Sequence, residues 1–344
     1  MTLKERIIDN YGWMRGYNRS FLTSDMLTAI MLTVLLVPQA LAYAMLADLP
    51  PQAGIYAAIF PPVIYAFFGS SRMLSVGPVA IVSIMTAYAI GSFPPELRVI
   101  SAAMLAMLSG GFLMVFGLLR GGAVSTFFSR PVVTAYISGA ALLIILSQFK
   151  NLLQINVSGS KISEVLPSVL ANLGETHALT AFVGLGTIAL LWGFKRFVVL
   201  WLRLLHVKKR KAQLVGKLGP IIVVALSTLA TVFFKLDTDY GLATVGYIPA
   251  SLPHLNFPVA NLDHWRNLIL AALLISLVGF VDSVSVAQTL AAKLRHRVDP
   301  NKELLGLGAA NAVAGLTGGY PVAGSLSRSA FNFSSGAKSP LVGV

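Results

Sequence analysis

Ser75-Val76-Gly77-Pro78 and Gly324-Ser325-Leu326-Ser327-Arg328 decide how this chain is read. Each is a small, glycine- and serine-rich stretch that opens an apolar run too short to cross a bilayer alone. A pair of such interrupted segments, one in each half of a chain, points to a binding site at mid-membrane. The unpaired N–H groups at a helix start carry roughly half a positive charge, so two starts facing one another favour an anion.

The rest of the composition agrees with a membrane setting. Hydrophobic residues make up 56% of the 344-residue chain and charged residues 11%. A soluble domain of that length needs more charge to cover its surface. The net charge of +13 resides in short loops, among them Lys208-Lys209-Arg210-Lys211, and there it acts as an orientation signal. Nucleic acid is therefore excluded as a partner, and the lipid bilayer is expected. No Cys is present, so disulfides, thiolate metal sites and cysteine nucleophiles are excluded.

Residues 1–24 mix Ile7, Ile8, Trp13 and Tyr17 with Lys4, Arg6, Arg15 and Arg19, which predicts an amphipathic cytoplasmic segment. The transmembrane domain is expected over 25–344. Its first apolar run, about 26–47, is too long for a signal-peptide core and is read as a retained span broken near Pro38. Further runs fall at about 54–69 (broken by Pro61-Pro62), 78–90, 99–119, 131–149, 178–200, 218–236, 267–292 and 303–317, with a second short one from Ser325. That gives about ten segments in an all-α polytopic protein. With the N-terminus inside, Arg72, Arg120, Lys208 to Lys211, Lys217, Lys293, Arg295, Arg297 and Lys302 fall on the cytoplasmic side. Asp48, Glu96, Glu164, Glu175, Asp237, Asp239 and Asp263 fall on the other, so the N-terminus is expected in the cytoplasm.

Several side chains stand out. Asp282 lies inside the apolar run Leu273 to Ala292, where a carboxylate costs about 2.5–3.5 kcal/mol on insertion scales. It either binds a coupling proton or Na⁺, or bonds Ser283 or Ser285 and fixes packing. Arg328 either presents a cation to an oxyanion, pairs with Asp282, or is a plain interfacial arginine. Gln39 and Tyr43, four apart, share one face of the first helix. They either contribute an amide and a hydroxyl to the site or serve packing. Ser325 and Ser327 are able to donate hydroxyls or cap the short helix. Enzyme signatures are missing: the five His residues have no metal-binding spacing, Gly306-Leu307-Gly308 lacks a third glycine, and there is no Walker A sequence. No enzyme activity, resident metal or cofactor is expected.

Pro38-Gln39-Ala40-Leu41-Ala42-Tyr43-Ala44, Leu49-Pro50-Pro51, Gly54-Ile55-Tyr56, Gly69-Ser70-Ser71-Arg72 and Ser75-Val76-Gly77-Pro78-Val79-Ala80 together resemble the SulP (sulfate permease, solute carrier 26) family. So do Asp299-Pro300-Asn301-Lys302-Glu303-Leu304, Gly318-Gly319-Tyr320-Pro321-Val322 and Gly324-Ser325-Leu326-Ser327-Arg328-Ser329. The resemblance implies a core and gate fold of two inverted repeats of seven segments, commonly dimeric. Here the first repeat covers about 25–236 and an incomplete second one about 264–344. It places a small anion between the third and tenth segments, lined by Gln39, Tyr43, Val79, Ala80, Ser325, Leu326, Ser327 and Arg328.

Sulfate transport in a bacterial-type inner membrane is the implied function. The implied mechanism is symport with H⁺ or Na⁺ at Asp282, by alternating access. Bicarbonate symport, an uncoupled channel or exchanger, and a transport-inactive fragment or scaffold are the alternatives. Two departures stand out: the family's acid at the eighth segment is commonly Glu, not Asp, and this chain ends at Val344. The last four segments and the cytoplasmic STAS domain are accordingly expected to be absent, and residues 1–344 alone are expected not to transport.

Overall fold

The computed structural model describes residues 17–123, 130–157, 162–198, 204, 219–246, 252–253, 255–258, 262–294, 297–337 and 339–343. Most of the amphipathic N-terminal stretch (1–16) and the basic run 208–211 lie outside the described residues. Two compact units form: residues 1–137 with 248–344, and residues 138–247.

In the first unit, α1 (Arg19–Leu46) begins at Asn18, whose side chain accepts from the Phe21 N–H at 2.9 Å. It starts seven residues before the run expected from hydropathy, because this cap and the Tyr17 hydroxyl bond to Asp25 organise the entry. Next come α2 (Pro51–Phe68), β1 (Ser75–Gly77), α3 (Ala80–Ile90) and α4 (Pro95–Leu118). Pro38 lies inside α1 and Pro61-Pro62 inside α2, yet both helices run on unbroken. The expected breaks are absent. A proline removes one helical hydrogen bond, and in a membrane helix its neighbours hold the remainder.

The second unit holds most of α5 (Arg130–Leu153), then α6 (Ile162–Asn172), α7 (Ala178–Gly193, continued by a π-helical turn to Val198) and α8 (Gly219–Phe233). α6 is a correction, since no helix was expected over 162–172. Its Val165 and Val169 pack on Ile155 as one apolar stripe, a pattern too short for a hydropathy run.

The first unit resumes with α9 (Leu262–Lys293), α10 (Pro300–Leu316), β2 (Ala323–Ser325) and α11 (Leu326–Ser335). Among the described residues, five helices are long and apolar enough to cross a membrane: α1, α2, α4, α7 with its π turn, and α9. α3 has 11 residues and α11 has 10. At 1.5 Å per residue each covers roughly half of a 30 Å hydrocarbon core.

The core of the first unit is built where α4 and α10 cross. Leu304, Leu307, Ala310 and Ala314 of α10 are buried with Ala102, Ala106 and Leu113 of α4. The backbones nearly touch: a Cβ on Gly308 would stand 2.9 Å from the Met114 nitrogen, and one on Gly110 2.6 Å from that of Ala312. Such small-residue crossings replace the hydrophobic drive that lipid cannot supply.

Candidate functional site

β1 and β2, almost 250 residues apart in the chain, pair antiparallel with Ser75 opposite Ser325, Val76 opposite Gly324 and Gly77 opposite Ala323. An antiparallel pair has a local two-fold axis, so each strand leads into its short helix from the opposite end of one ribbon. The starts of α3 and α11 thereby lie on either side of the same axis. The two Gly/Ser-rich stretches are thus joined as strands, a pairing that the sequence reading did not include.

Side chains from α9 and α10 fix β2. Asn311 donates from Nδ2 to the Val322 carbonyl at 2.9 Å and accepts the Val322 N–H on Oδ1 at 2.9 Å. Ser283 accepts the Gly324 N–H at 2.8 Å. On the other strand, the Ser75 N–H donates to the Ser329 hydroxyl at 2.9 Å. The Ser83 and Tyr320 hydroxyls bond at 3.2 Å. Every one of these contacts is buried, and together they define the distance between the helix starts.

Arg328 fills the middle of this arrangement. Only 2% exposed, it donates from Nε to the Ser75 hydroxyl at 3.3 Å and from Nη1 to the Pro78 carbonyl at 2.9 Å. Nη2 is buried and has no partner among the described residues. Gly77 makes room for it: a Cβ there would sit 3.3 Å from Nη2, and the glycine's φ of +152° is one that side chains disfavour. The Tyr43 and Tyr320 hydroxyls lie within electrostatic reach of the guanidinium.

Of the roles expected for Arg328, pairing with Asp282 is not made. Asp282 is half-buried on α9, and no hydrogen bond or ion pair reaches its carboxylate among the described residues. Its packing alternative also fails at Ser283, whose hydroxyl donates to Gly279 and accepts from Gly324. Ser285 accepts from Thr289 through its backbone carbonyl, not its side chain. Asp282 thus stays an unbonded carboxylate beside the residue that holds β2.

Gln39 buries an Oε1 without a partner among the described residues, on the α1 face that also carries Tyr43. Val79 precedes α3 and offers no side-chain cap, so the first N–H groups of α3 keep their capacity to donate. Its own side chain is buried in one apolar cluster with Val82, Met104 and Ala323. Ala80 is half-buried. Ser325 accepts the Arg328 N–H at 3.4 Å as a helix cap, and its hydroxyl lies 3.3 Å from that of Ser327. Leu326 is 59% exposed and Ser327 is exposed at the α11 start. Sequence reasoning gave Asn311 and Tyr320 no site role and named Ser283 only as a bonding partner for Asp282, yet all three hold the strands at the site. The available signal was a polar side chain inside an apolar helix, for Ser283 and Asn311; Tyr320 lies in the irregular segment before β2 and gave none.

Two short helices set about a two-stranded ribbon, with a buried cation between them, define an integral membrane protein of the inverted-repeat transporter fold. The chain belongs to the sulfate permease family, which it matches over residues 22–344. That family consists of transporters, not enzymes. The chloroplastic sulfate transporter 4.1 of Arabidopsis thaliana is 36% identical over 342 residues, covering 97% of this chain and 48% of the relative. The chain therefore spans about half the length of such relatives.

Among solved structures, the murine solute carrier 26 family member A9 anion transporter in the inward-facing state matches with a TM-score of 0.83. Its sequence is 22% identical, and the match covers 97% of this chain and 56% of that one. The transmembrane domain of the cyanobacterium bicarbonate transporter BicA matches with a TM-score of 0.79 at 22% identity, over 95% and 80% of the two chains. At those identities the likeness is one of fold.

Proposed function

We propose that this chain is the anion-carrying part of a secondary active transporter, with sulfate as its first substrate. The observation that carries the reading is the unpartnered, buried Nη2 of Arg328 between two helix starts. A desolvated donor on a cation is costly to leave unpaired, and an oxyanion held there supplies the missing acceptors. The α3 N–H groups add partial positive charge from one side and those of α11 from the other. A dianion such as sulfate is matched by one full charge and two helix ends.

Asp282 is the proposed coupling site, where a bound H⁺ or Na⁺ offsets the charge of the anion during the crossing. Alternating access would carry the half-helices and their anion from one face to the other. The protein would sit in a bacterial-type inner membrane with its N-terminus in the cytoplasm, as a homodimer when full length. The name of the Arabidopsis relative favours sulfate. A second reading, bicarbonate, is favoured by the cyanobacterial structure of like fold. Uptake of labelled sulfate and, separately, of labelled bicarbonate by the full-length protein in liposomes, under separate proton and sodium gradients, tests both. Sulfate accumulation driven by one gradient supports the first reading. Bicarbonate accumulation without sulfate uptake supports the second, and accumulation of neither refutes both.

A further inference from the structure

One carboxylate in the first unit has no task in the transport reading. Glu303, in the first turn of α10, is 0% exposed. Its Oε1 accepts the Ser70 N–H at 2.8 Å, the Ser71 N–H at 2.9 Å and the Ser70 hydroxyl at 2.7 Å. Its Oε2 accepts the Tyr65 hydroxyl at 2.7 Å. No Lys or Arg forms a salt bridge with it among the described residues. Two successive backbone N–H groups with two hydroxyls make the donor set of an anion nest, here filled by the chain's own side chain.

What this nest holds is the lead into β1. Ser71, one of its walls, also accepts the Leu74 N–H on its hydroxyl at 3.3 Å, closing a turn that ends one residue before the strand. The next residue, Ser75, accepts from Arg328 and donates to Ser329. Six consecutive residues, 70 to 75, thus connect Glu303 to the guanidinium. On the same face of α10, one turn on, Gly306 lies against this lead: a Cβ there would stand 2.8 Å from the Gly69 Cα. α10 therefore grips both strands, β2 through Asn311 and the approach to β1 through Glu303.

We propose that Glu303 is a positioning residue for the anion site, a resident carboxylate that sets the height at which Ser75 meets Arg328. This rests on the transport reading above. It differs from a plain packing role in what it predicts for affinity: loss of the carboxylate displaces Ser75 and loosens the guanidinium even in protein that stays folded.

The test uses the full-length protein in liposomes, with labelled sulfate uptake measured per folded molecule. Wild type is assayed first with sulfate, chloride and bicarbonate; transport of none of them overturns the transport reading and this inference with it. Given wild-type uptake, E303A is expected to raise KM about tenfold, since the donors lose a charged acceptor. Formate at millimolar concentration, corrected for its competition in wild type, should lower that KM by refilling the nest. E303Q should stay within about threefold of wild type, because an amide oxygen still accepts the three bonds made by Oε1. Where E303A yields no folded protein, E303D decides, as its carboxylate falls one methylene short of the nest. A wild-type KM in whichever of E303A and E303D folds overturns the inference alone.

Discussion

Asn311→Leu removes the grip of α10 on β2 while keeping the branched outline of the side chain. In the native chain the Asn311 amide satisfies both the N–H and the carbonyl of Val322, each at 2.9 Å, in a region closed to solvent. Leucine leaves both backbone groups unpaired. Each such group costs about 1–3 kcal/mol, so the pair costs about 2–6 kcal/mol. Ser283 still holds Gly324 two residues on, which keeps the strand near its place and puts the loss toward the lower end. Thermal unfolding in detergent, followed by intrinsic fluorescence, is expected to show an apparent Tm lower by at least about 5 °C. Sulfate affinity should fall with it, because Ser325 and the α11 start follow Val322 by a few residues. Asn311→Asp should do no better than Leu, since a carboxylate faces the Val322 carbonyl without a proton to donate. An unfolding midpoint within about 1 °C of wild type for Asn311→Leu would contradict the role given to this clamp.

Further perturbations probe the other supports. Gly77→Ala places a methyl 3.3 Å from Arg328 Nη2 at a φ of +152°, with backbone strain of about 1–3 kcal/mol. Calorimetry should register sulfate binding weaker by about tenfold or more, and unchanged affinity would sink the idea that Gly77 clears space for the guanidinium. Gly308→Val drives a side chain into Met114 at the α4–α10 crossing, an overpacking cost of about 1–3 kcal/mol or more. Size-exclusion chromatography should show little monodisperse protein, and a wild-type yield refutes the close-crossing argument. Asp282→Asn should abolish gradient-driven sulfate accumulation while leaving sulfate–sulfate exchange in place. Full accumulation with the neutral side chain would remove Asp282 from the coupling role.

Much of this was legible in the residues. The Ser75–Pro78 and Gly324–Arg328 stretches announced themselves because Gly, Ser and Pro before a short apolar run have few roles in a bilayer other than to start a half-helix. Their pairing as strands was not readable, since it joins positions almost 250 residues apart. Arg328 was singled out in the sequence, but its bonds to Ser75 and Pro78 depend on that pairing and stand in place of the alternative with Asp282. Pro38 and Pro61-Pro62 were misjudged for a physical reason: local propensity counts the missing N–H and not the neighbouring helices that keep the turn. α6 escaped because Glu164 read as a loop residue and an apolar stripe only three turns long, with Pro167 inside it, makes no hydropathy run. Glu303 and Asn311 were hidden among polar residues of α10 whose partners lie on other elements.

In the proposed function an oxyanion rests between the starts of α3 and α11. The most direct test is an anomalous-scattering map of crystals grown with selenate, which has the shape and charge of sulfate. A peak within hydrogen-bond reach of the backbone at Val79–Ile81 and of Arg328 Nη2, weakened by competing sulfate, is the predicted result. A map with the selenate bound elsewhere in the protein, and that position empty, would contradict it.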